Sequence, residues 1–470
     1  YKTPPKDVAD MLMAKRPPNV SVDDKGEWML FMESSSYPSV AELARPELRI
    51  AGLRINPANF APSRQSFITG LYLKNSKTDK EYKISGLPSP LFAGSVSWSG
   101  NDKKIAFTHT TENRVDLYII DVATQKATRI NKTALNSISG TYSWYDENTV
   151  LYRGTIKPAT AAPPKPAVPD GPTIQENYGK AAPRPTYQDL IKSPYDEQLY
   201  AFYSTTQLIK NTNGIETRIG QPAIYSSIVI SPDKKYMLIR TLRKPFSYAV
   251  PAGGFPALVT ITDMNGKLVK QLAELPSAET APSGYDNVQP FARGFEWRDD
   301  EPSTIVWCMP LDSGLIKKQV EYHDAVYAQK APFTGEAELL FKTKMRFSGI
   351  VWGTESLAIV TEGLRSKQLT QVDRYHPVTG DLEKLITRNT TDAYSSPGFP
   401  VTHPNQYGKN VLWTIDNGNK ILLNNSTGSS PKGDLPFLIS YDVHKKKADT
   451  IWRCTEGYFE NVVKVLDAEK

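Results

Sequence analysis

Short stretches in which apolar and polar residues alternate recur along the whole chain, and a polar turn separates each stretch from the next. One kind of hairpin reads VSVDDKGEWMLFM from Val20 and IVISPDKKYMLIR from Ile228. A second kind reads YIIDVATQKATRI from Tyr118 and VTITDMNGKLVKQL from Val259. Alternation predicts strands, and Asp, Asn and Gly tolerate the positive φ angles that tight hairpins require. The two hairpins in succession predict a four-stranded antiparallel meander.

This pair of hairpins returns about seven times, in units of roughly 40 to 50 residues, the repeat length of a propeller blade. Four tryptophans fall at equivalent places in their units, which suits large rings packed between sheets: Trp98, Trp144, Trp297 and Trp352. The pattern therefore predicts an all-β fold, a seven-bladed β-propeller of four-stranded antiparallel blades within 20–455. The blades are expected at 20–87, 94–131, 140–219, 224–273, 293–344, 346–388 and 401–453.

The first blade contains an insertion, AELARPELRIAGLRINPANFAPSRQSF at 41–67, that is much longer than a blade loop. Long loops inside compact domains are usually functional or disordered, and this one is not of low complexity. Its guanidinium groups can clamp a carboxylate, which makes them candidate substrate-binding groups. The candidates are Arg45, Arg49, Arg54 and Arg64. The alternative is that these arginines serve packing and interface hydrogen bonds.

The third blade is interrupted by a Pro-rich stretch at 157–177 and by TYQDLIKSPYDEQLYAFYSTTQL at 186–208. Because proline fixes φ and lacks a donor, the first stretch predicts an extended arm, with a solvated linker as the alternative for 157–169. The second has apolar residues at helical spacing interrupted by Pro194, and predicts short helical turns. Inserted loops and short helices are thus expected in blades 1 and 3. Segment 1–19 is expected to hold a short helix.

Composition narrows the classes of function. The net charge of +6 over 470 residues is not gathered into a basic run interleaved with aromatics, which argues against nucleic-acid binding. Two cysteines, Cys308 and Cys454, cannot form a disulfide framework, and no stretch approaches the ~20 apolar residues of a membrane helix. The chain begins with Tyr1 rather than Met, so we expect that an N-terminal piece, with any export signal, was removed.

Catalytic motifs of common enzymes are missing from the sequence. The nearest approach to the Gly-x-Ser-x-Gly turn of α/β-hydrolases, GSSPK from Gly428, ends in lysine. No phosphate-binding glycine loop is present, and no His-x-His or His-Glu-x-x-His pair seeds a metal site. The five histidines stand singly: His109, His323, His376, His403 and His444. We therefore expect no catalytic residue, metal or cofactor in this chain, and a role as a scaffold or binding module.

Several longer motifs are more specific: ELARPELRIAGLRINP, SFITGL, PPKPAVPDGPTIQEN, TYQDLIKSPYDEQL, KPFSYAVPAGGFP, FEWRDDEPSTIVW with LDSG, and SSPGFP. Through them the chain resembles, almost end to end, the N-terminal propeller of the glutamyl endopeptidases in the prolyl oligopeptidase family. Two positions depart from the family pattern. Gly254 stands where a basic residue often precedes Phe-Pro, and His323 stands where an arginine commonly precedes Asp.

The resemblance implies the propeller part of a serine peptidase whose Ser-Asp-His triad lies in a C-terminal α/β-hydrolase domain, with 456–470 starting the linker to it. In such enzymes the propeller caps the active site and admits peptides and unfolded segments. The expected partners are a peptide substrate, cleaved after Glu, and the hydrolase domain of the same polypeptide. The chain alone is expected to be inactive, and the arginine-rich insertion is the candidate for recognising Glu.

Two other functions remain open from the sequence. A stand-alone propeller can be a protein-interaction scaffold, and a lactonase-type propeller would need carboxylates and Asn converging on its channel, a set that we do not find here. The coding sequence after Lys470 separates these alternatives. The resemblance suggests a periplasmic or secreted location, with an organellar one as the alternative. The physiological substrate, endo- or exo-cleavage and the oligomeric state are not set by the sequence.

Overall fold

Strands dominate the computed structural model, which describes residues 4–35, 37–38, 40–167 and 186–468. The α-helices in this described part are short: Lys6–Met13, Val40–Leu43 and Pro194–Ser204. Single 3-10 turns occur at Ala159–Ala161, Ala252–Gly254, Ala278–Thr280, Arg365–Lys367 and Ala393–Ser395. The predicted all-β class is confirmed.

The strands pair in chain order into antiparallel meanders, here numbered 1 to 7 over the described residues, with strands A to D from first to fourth. Meander 1 consists of Asn19–Val22, Trp28–Ser34, Ile68–Asn75 and Glu81–Lys83. Meander 2 consists of Ala93–Trp98, Lys104–Thr110, Val115–Asp121 and Lys126–Arg129. Meander 3 consists of Tyr142–Asp146, Thr149–Gly154, Thr206–Thr212 and the first part of Ile215–Ile230.

Meander 4 uses the second part of Ile215–Ile230, then Tyr236–Leu242, Ala257–Asp263 and Leu268–Leu275. Meander 5 consists of Arg293–Trp297, Thr304–Pro310, Asp324–Lys330 and Glu338–Thr343. Meander 6 consists of Arg346–Thr354, Leu357–Leu364, Leu369–Tyr375 and Leu382–Asn389. Meander 7 consists of Phe399–Pro400, Lys420–Asn425, Phe437–Asp442 and Lys447–Arg453, and Thr414–Ile415 also pairs with its strand B.

Short strands form three accessory sheets. Leu48–Ile50, Leu53–Asn56 and Ala61–Pro62 pair within the first insertion. Thr402–Pro404 pairs with Asn410–Leu412, and Ser429–Ser430 pairs with Gly433–Asp434.

Turn chemistry sets the register of the hairpins, as the Asn213–Gly214 turn of meander 3 illustrates. Both residues have positive φ, 50° and 86°, and they connect the paired residues Thr212 and Ile215. Two left-handed residues match the right-handed twist of the flanking strands, and Asn and Gly adopt that conformation at the lowest cost. The strand that follows is 16 residues long and pairs first in meander 3 and then, from Ile224, in meander 4.

Three of the four equivalent tryptophans connect meanders through their indole N–H groups. Trp98 donates to Ser21 Oγ at 2.9 Å, Trp144 to Ser97 Oγ at 3.0 Å and Trp297 to the carbonyl of Val229 at 2.9 Å. Each acceptor lies on strand A of the preceding meander. These rings therefore lie between neighbouring sheets, as the sequence predicted.

Long insertions gather at one edge of the meanders, here called the insertion edge. Antiparallel strands reverse at alternate edges, so every B-to-C connection lies at the same edge. The B-to-C connections of meanders 1, 3 and 4 pack on one another into a cap: the Phe60 and Tyr203 rings lie 5.3 Å apart, and the Tyr200 and Phe246 rings 4.9 Å apart. The cap has its own buried core, which includes Ile50, Ile55, Ile191, Leu199, Val250 and Phe255.

The insertion between strands B and C of meander 3 contains a helix that begins at Pro194, the residue expected to interrupt the helical pattern. Pro194 is its first residue, and Ser193 caps it by accepting a hydrogen bond from the backbone N–H of Asp196 at 3.2 Å. Short helices are thus present in the insertions of blades 1 and 3 as expected. Pro194 begins the second of them instead of interrupting it, because proline is favoured in the first turn, where its missing N–H has no partner to lose. Residues 168–177 of the expected arm lie outside the described residues. The described beginning of this arm packs against the core of the cap through Ala159 and Ala162.

The last described segment returns to the beginning of the chain. Lys464 Nζ contacts Asp24 Oδ1 at 2.5 Å, while Asn424 of meander 7 donates to the carbonyl of Val462 at 3.5 Å. Meander 7 and meander 1 are thus connected through this tail. None of the helices in the described ranges is long and apolar enough to cross a membrane.

Candidate functional site

A cavity of about 1150 Å³ opens beside the first insertion, between the cap and the N-terminal helix. Three of the four predicted arginines line it: Arg45, Arg49 and Arg64. In the short sheet at 48–62, Arg49 pairs with Arg54 across the first hairpin. Ser63, which precedes Arg64, donates its backbone N–H to the Arg54 carbonyl. Arg64 adopts a left-handed backbone with φ of 57°, which a non-glycine residue holds only at a cost of order 1 kcal/mol.

Glu47 holds two of these arginines together. Its carboxylate contacts Arg49 Nε at 2.8 Å and Arg64 Nε at 3.0 Å, and it accepts a hydrogen bond from Ser63 Oγ at 2.5 Å. The Ser63 hydrogen bond is the main reason that the pKa of Glu47 lies below its ordinary value, and the two arginines lower this pKa further. Arg49 and Arg64 therefore share one carboxylate and keep donors available to a second anion.

Arg54 lies elsewhere and does not line the cavity. Its Nε contacts Asp189 Oδ2 at 3.2 Å, 135 residues away in the chain. This ion pair connects the insertion of meander 1 to the insertion of meander 3. This contact matches the alternative of an interface role for Arg54, and substrate binding by the four arginines stays a prediction.

Arg45 has a different environment from the other three. It is half-buried in the cavity wall, and within the described residues no carboxylate lies within ion-pair distance of it. Arg16, which follows the N-terminal helix, also lines the cavity and was missed by sequence reasoning. The local sequence around Lys15 and Arg16 does not indicate that residue 16 lies near residues 45–64 in the fold, so Arg16 could not be predicted as part of the site. The cavity thus holds more guanidinium groups than carboxylates.

The rim of the cavity is apolar and exposed. Met13, Tyr37, Val40 and Leu43 are 74%, 53%, 83% and 61% exposed, respectively. A cavity with surplus guanidinium groups and an apolar rim can bind an acidic side chain together with its apolar neighbours.

Among the described residues, no histidine, cysteine or aspartate lines this cavity. Asp312 and His323 do form a pair, at 2.8 Å, but Arg346 occupies the same aspartate at 2.6 Å, as befits a structural ion cluster. Over the described ranges no three His, Cys, Asp or Glu residues are placed to hold a metal ion. The burial of Cys308 raises its thiol pKa to about 12, so this cysteine is inert as a nucleophile.

No protein-family model matches the chain. Among curated proteins, a probable chloroplastic glutamyl endopeptidase of Oryza sativa subsp. japonica is 33% identical over 489 residues, covering 99% of this chain and 52% of the rice protein. Its counterpart from Arabidopsis thaliana is 34% identical over 494 residues, covering 100% of this chain and 51% of the relative. This chain is therefore homologous to part of an endopeptidase.

More specifically, the predicted resemblance to the glutamyl endopeptidases is confirmed. The chain spans about half the length of the curated relatives that it matches. Solved structures are similar in part. A prolyl endopeptidase shares 10% identity at a TM-score of 0.46, covering 94% of this chain and 50% of the other. The β-propeller domain of the Trilobed protease from Pyrococcus furiosus shares 11% identity at a TM-score of 0.42, covering 95% of this chain and 99% of that domain.

Proposed function

We propose that this chain is the gating propeller of a serine endopeptidase that cleaves peptides after Glu. The observation that carries the proposal is the alignment of essentially the whole chain with half of two glutamyl endopeptidases. Catalysis belongs to the other half of such a protein, an α/β-hydrolase domain of the same polypeptide, and the propeller by itself is inactive.

The seven meanders form the seven blades of a closed ring. Support for this comes from the tryptophan contacts between consecutive sheets and from the tail that connects meander 7 to meander 1. A ring over an active site selects substrates by size, because folded proteins do not pass its openings whereas an extended chain does. Peptides and unfolded segments are therefore the substrate class.

The cavity around Arg45 binds the Glu side chain of the substrate. Arg45 offers an uncompensated guanidinium, and Arg49 and Arg64 are oriented by Glu47. A substrate carboxylate that replaces water here gains charge-assisted hydrogen bonds from a fork-shaped donor. Arg54 has no part in this site.

Of the two expected compartments, the organellar one is supported by the names of the relatives, which give no support to export.

The proposal is tested by assaying the uninterrupted gene product and the 470-residue chain on blocked peptides that contain either Glu or Gln. We expect the complete protein to cleave after Glu and to bind a fluorophosphonate probe at a serine outside these 470 residues. We expect the chain alone to do neither. Labelling of a serine within the chain, or equal cleavage of Glu and Gln peptides by the complete protein, would contradict the proposal.

Substitution of Arg45 tests the recognition site in the complete protein. Arg45→Gln should lower kcat/KM for Glu peptides at least tenfold and leave the weak cleavage of Gln peptides unchanged. Arg388→Gln is the matched control, because Arg388 is also half-buried and contacts the backbone carbonyls of Asn389 and Asp392 at 3.3 Å. An unchanged Glu preference in Arg45→Gln would remove this cavity from substrate recognition.

A further inference from the structure

A second cavity with surplus positive charge lies between meanders 4 and 5. It measures about 520 Å³ and shares no lining residue with the cavity around Arg45. Its walls are largely apolar, formed by Leu238, Val259, Leu275, Val288, Phe291 and Phe295. Two arginines line it, Arg240 and Arg293, and none of its lining side chains in the described part of the chain is acidic.

Arg240 has no counter-ion in the described part of the chain. Its two terminal nitrogens donate to Ser226 Oγ and to the carbonyl of Gly253, both at 3.3 Å, and no carboxylate of the described residues lies within ion-pair distance. Burial lowers the pKa of Arg240 because nearby protein atoms replace water around the charge. Both hydrogen bonds are long and go to neutral oxygens, so they hold the guanidinium in place without neutralising it.

Arg293 lines the cavity as a second guanidinium group, and 27% of its side chain is exposed. One terminal nitrogen, Nη2, contacts Asp324 Oδ2 at 2.5 Å, and the other, Nη1, is buried without a hydrogen-bond partner. The same aspartate is also bound by Arg346 at 3.0 Å. Nη1 is closed off from solvent, so Arg293 acts on a ligand in the cavity through its charge and not through this donor.

The position of the cavity suits a ligand that arrives along the inner edge of the sheets. Ser227 lies on strand A of meander 4, and Arg293 and Phe295 lie on strand A of meander 5. Strand A is the first strand of each meander, and it forms the inner edge of the blade in the ring that we propose. The cavity therefore reaches the inner edge of that ring, although its wall extends along meander 4 to Leu275 on strand D.

We infer that the cleft between Arg240 and Arg293 binds a carboxylate of a peptide, with the apolar walls holding the adjacent side chains. The inference rests on the proposed function for the source of the peptide, and it adds a second anchoring point to the Arg45 cavity. The carboxylate belongs either to an acidic side chain or to the C-terminus of the peptide. In both cases Arg240 supplies the charge and the donors, and Arg293 adds a second positive charge at the wall.

The test uses the full 470-residue chain in an Arg45→Gln background, so that the first cavity does not contribute. Three blocked probe peptides share one Phe- and Leu-containing sequence: one has an internal Glu and an amidated C-terminus, one has Gln and a free C-terminal carboxylate, and one has Gln and an amide. We expect the neutral peptide to bind at least tenfold more weakly than one of the two acidic peptides. The acidic peptide that binds identifies the source of the carboxylate.

Substituting Arg240→Gln in this background should remove the preference for the acidic peptide, Arg240→Lys should retain part of it, and Arg388→Gln should leave it intact. Phenylglyoxal modification read by mass spectrometry provides a second measurement on the parent chain, in which the acidic peptide should protect Arg240. The inference is overturned if Arg45→Gln alone abolishes all carboxylate-dependent binding, or if Arg240 is neither protected nor required. Such a result would leave the proposed function standing.

Discussion

Two buried carboxyl groups in meander 6 make stability depend on pH at the scale of single residues. Glu362 and Asp373 are 2% and 1% exposed, and the side chain of Gln371 donates to both, at 2.9 and 2.8 Å. Burial raises the pKa of Glu362 to about 7 and also raises that of Asp373. Asp373 Oδ2 has no donor among the described residues, which is consistent with a proton held between the two groups.

We expect Glu362→Gln to stabilise the protein at pH 8. A carboxyl whose pKa is raised from 4.5 to about 7 on folding holds a proton that the unfolded chain has released, so stability falls as pH rises from 4.5 to 7. The loss above pH 7 is up to about 3 kcal/mol. A glutamine stays neutral and can donate to Asp373. Urea unfolding at pH 5.5 and pH 8 measures the difference.

The control for this prediction is Glu355→Gln, at an exposed position in the A-to-B turn of the same meander. It should follow the wild-type pH dependence. If Glu362→Gln also follows the wild-type curve between pH 5.5 and 8, Glu362 does not retain its proton in the folded state.

The ion cluster around Arg346 should respond to pH in the opposite direction. Although burial raises the pKa of Asp312, hydrogen bonds from Arg346 and His323 hold it below its ordinary value. Its contribution to stability is therefore present above about pH 4 and is lost as pH falls further. Arg346→Met leaves Asp312 without its main cation and Asp324 with Arg293 alone, and both carboxylates are 0% exposed. We expect a loss of about 3 to 5 kcal/mol at pH 7 in denaturant unfolding, and a loss below 1 kcal/mol would contradict this account.

At the scale of elements, the indole contacts between meanders provide a matched pair of substitutions. Trp297 and Trp352 are both buried at the end of strand A, but Trp297 Nε1 donates to Val229 whereas Trp352 Nε1 has no partner in the described residues. Replacement by Phe removes the N–H and some ring volume at both sites. Trp297→Phe should therefore cost about 1 kcal/mol more than Trp352→Phe, as measured by thermal or urea unfolding. Equal costs would mean that the hydrogen bond contributes nothing.

Strand positions could be predicted from the sequence because each hairpin carries its own alternation and turn residues, as at Asn213–Gly214. The cap could not be predicted, because its core joins segments that are far apart in the chain, such as Phe60 and Tyr203. The same limit applies to the candidate site. Arg49 lies on one short sheet, and Arg45 and Arg64 flank its two ends. In contrast, the pairing of Arg54 with Asp189 and the approach of Arg16 depend on long-range packing.

At the scale of the whole molecule, the tail at 456–468 should act as the closure between meanders 7 and 1. The ion pair of Lys464 with Asp24 is partly exposed and contributes at most about 1 kcal/mol. Leu466 lies against Gly26, where a Cβ atom would collide with it. Removing 456–470 should speed hydrogen exchange in strands A and B of meander 1 and leave meanders 4 and 5 unchanged. Uniform acceleration across the chain would show that the tail supports the fold generally.

The 16-residue strand Ile215–Ile230 has a mechanical consequence for any ring that opens to admit a substrate. It is the last strand of meander 3 and the first of meander 4, so bending between these two sheets would break ladder hydrogen bonds on both sides at once. Meanders 3 and 4 therefore move as one rigid body. A hinge is expected at a seam where the neighbouring sheets share no strand, and the junction of meanders 7 and 1, which the tail bridges, is one such seam.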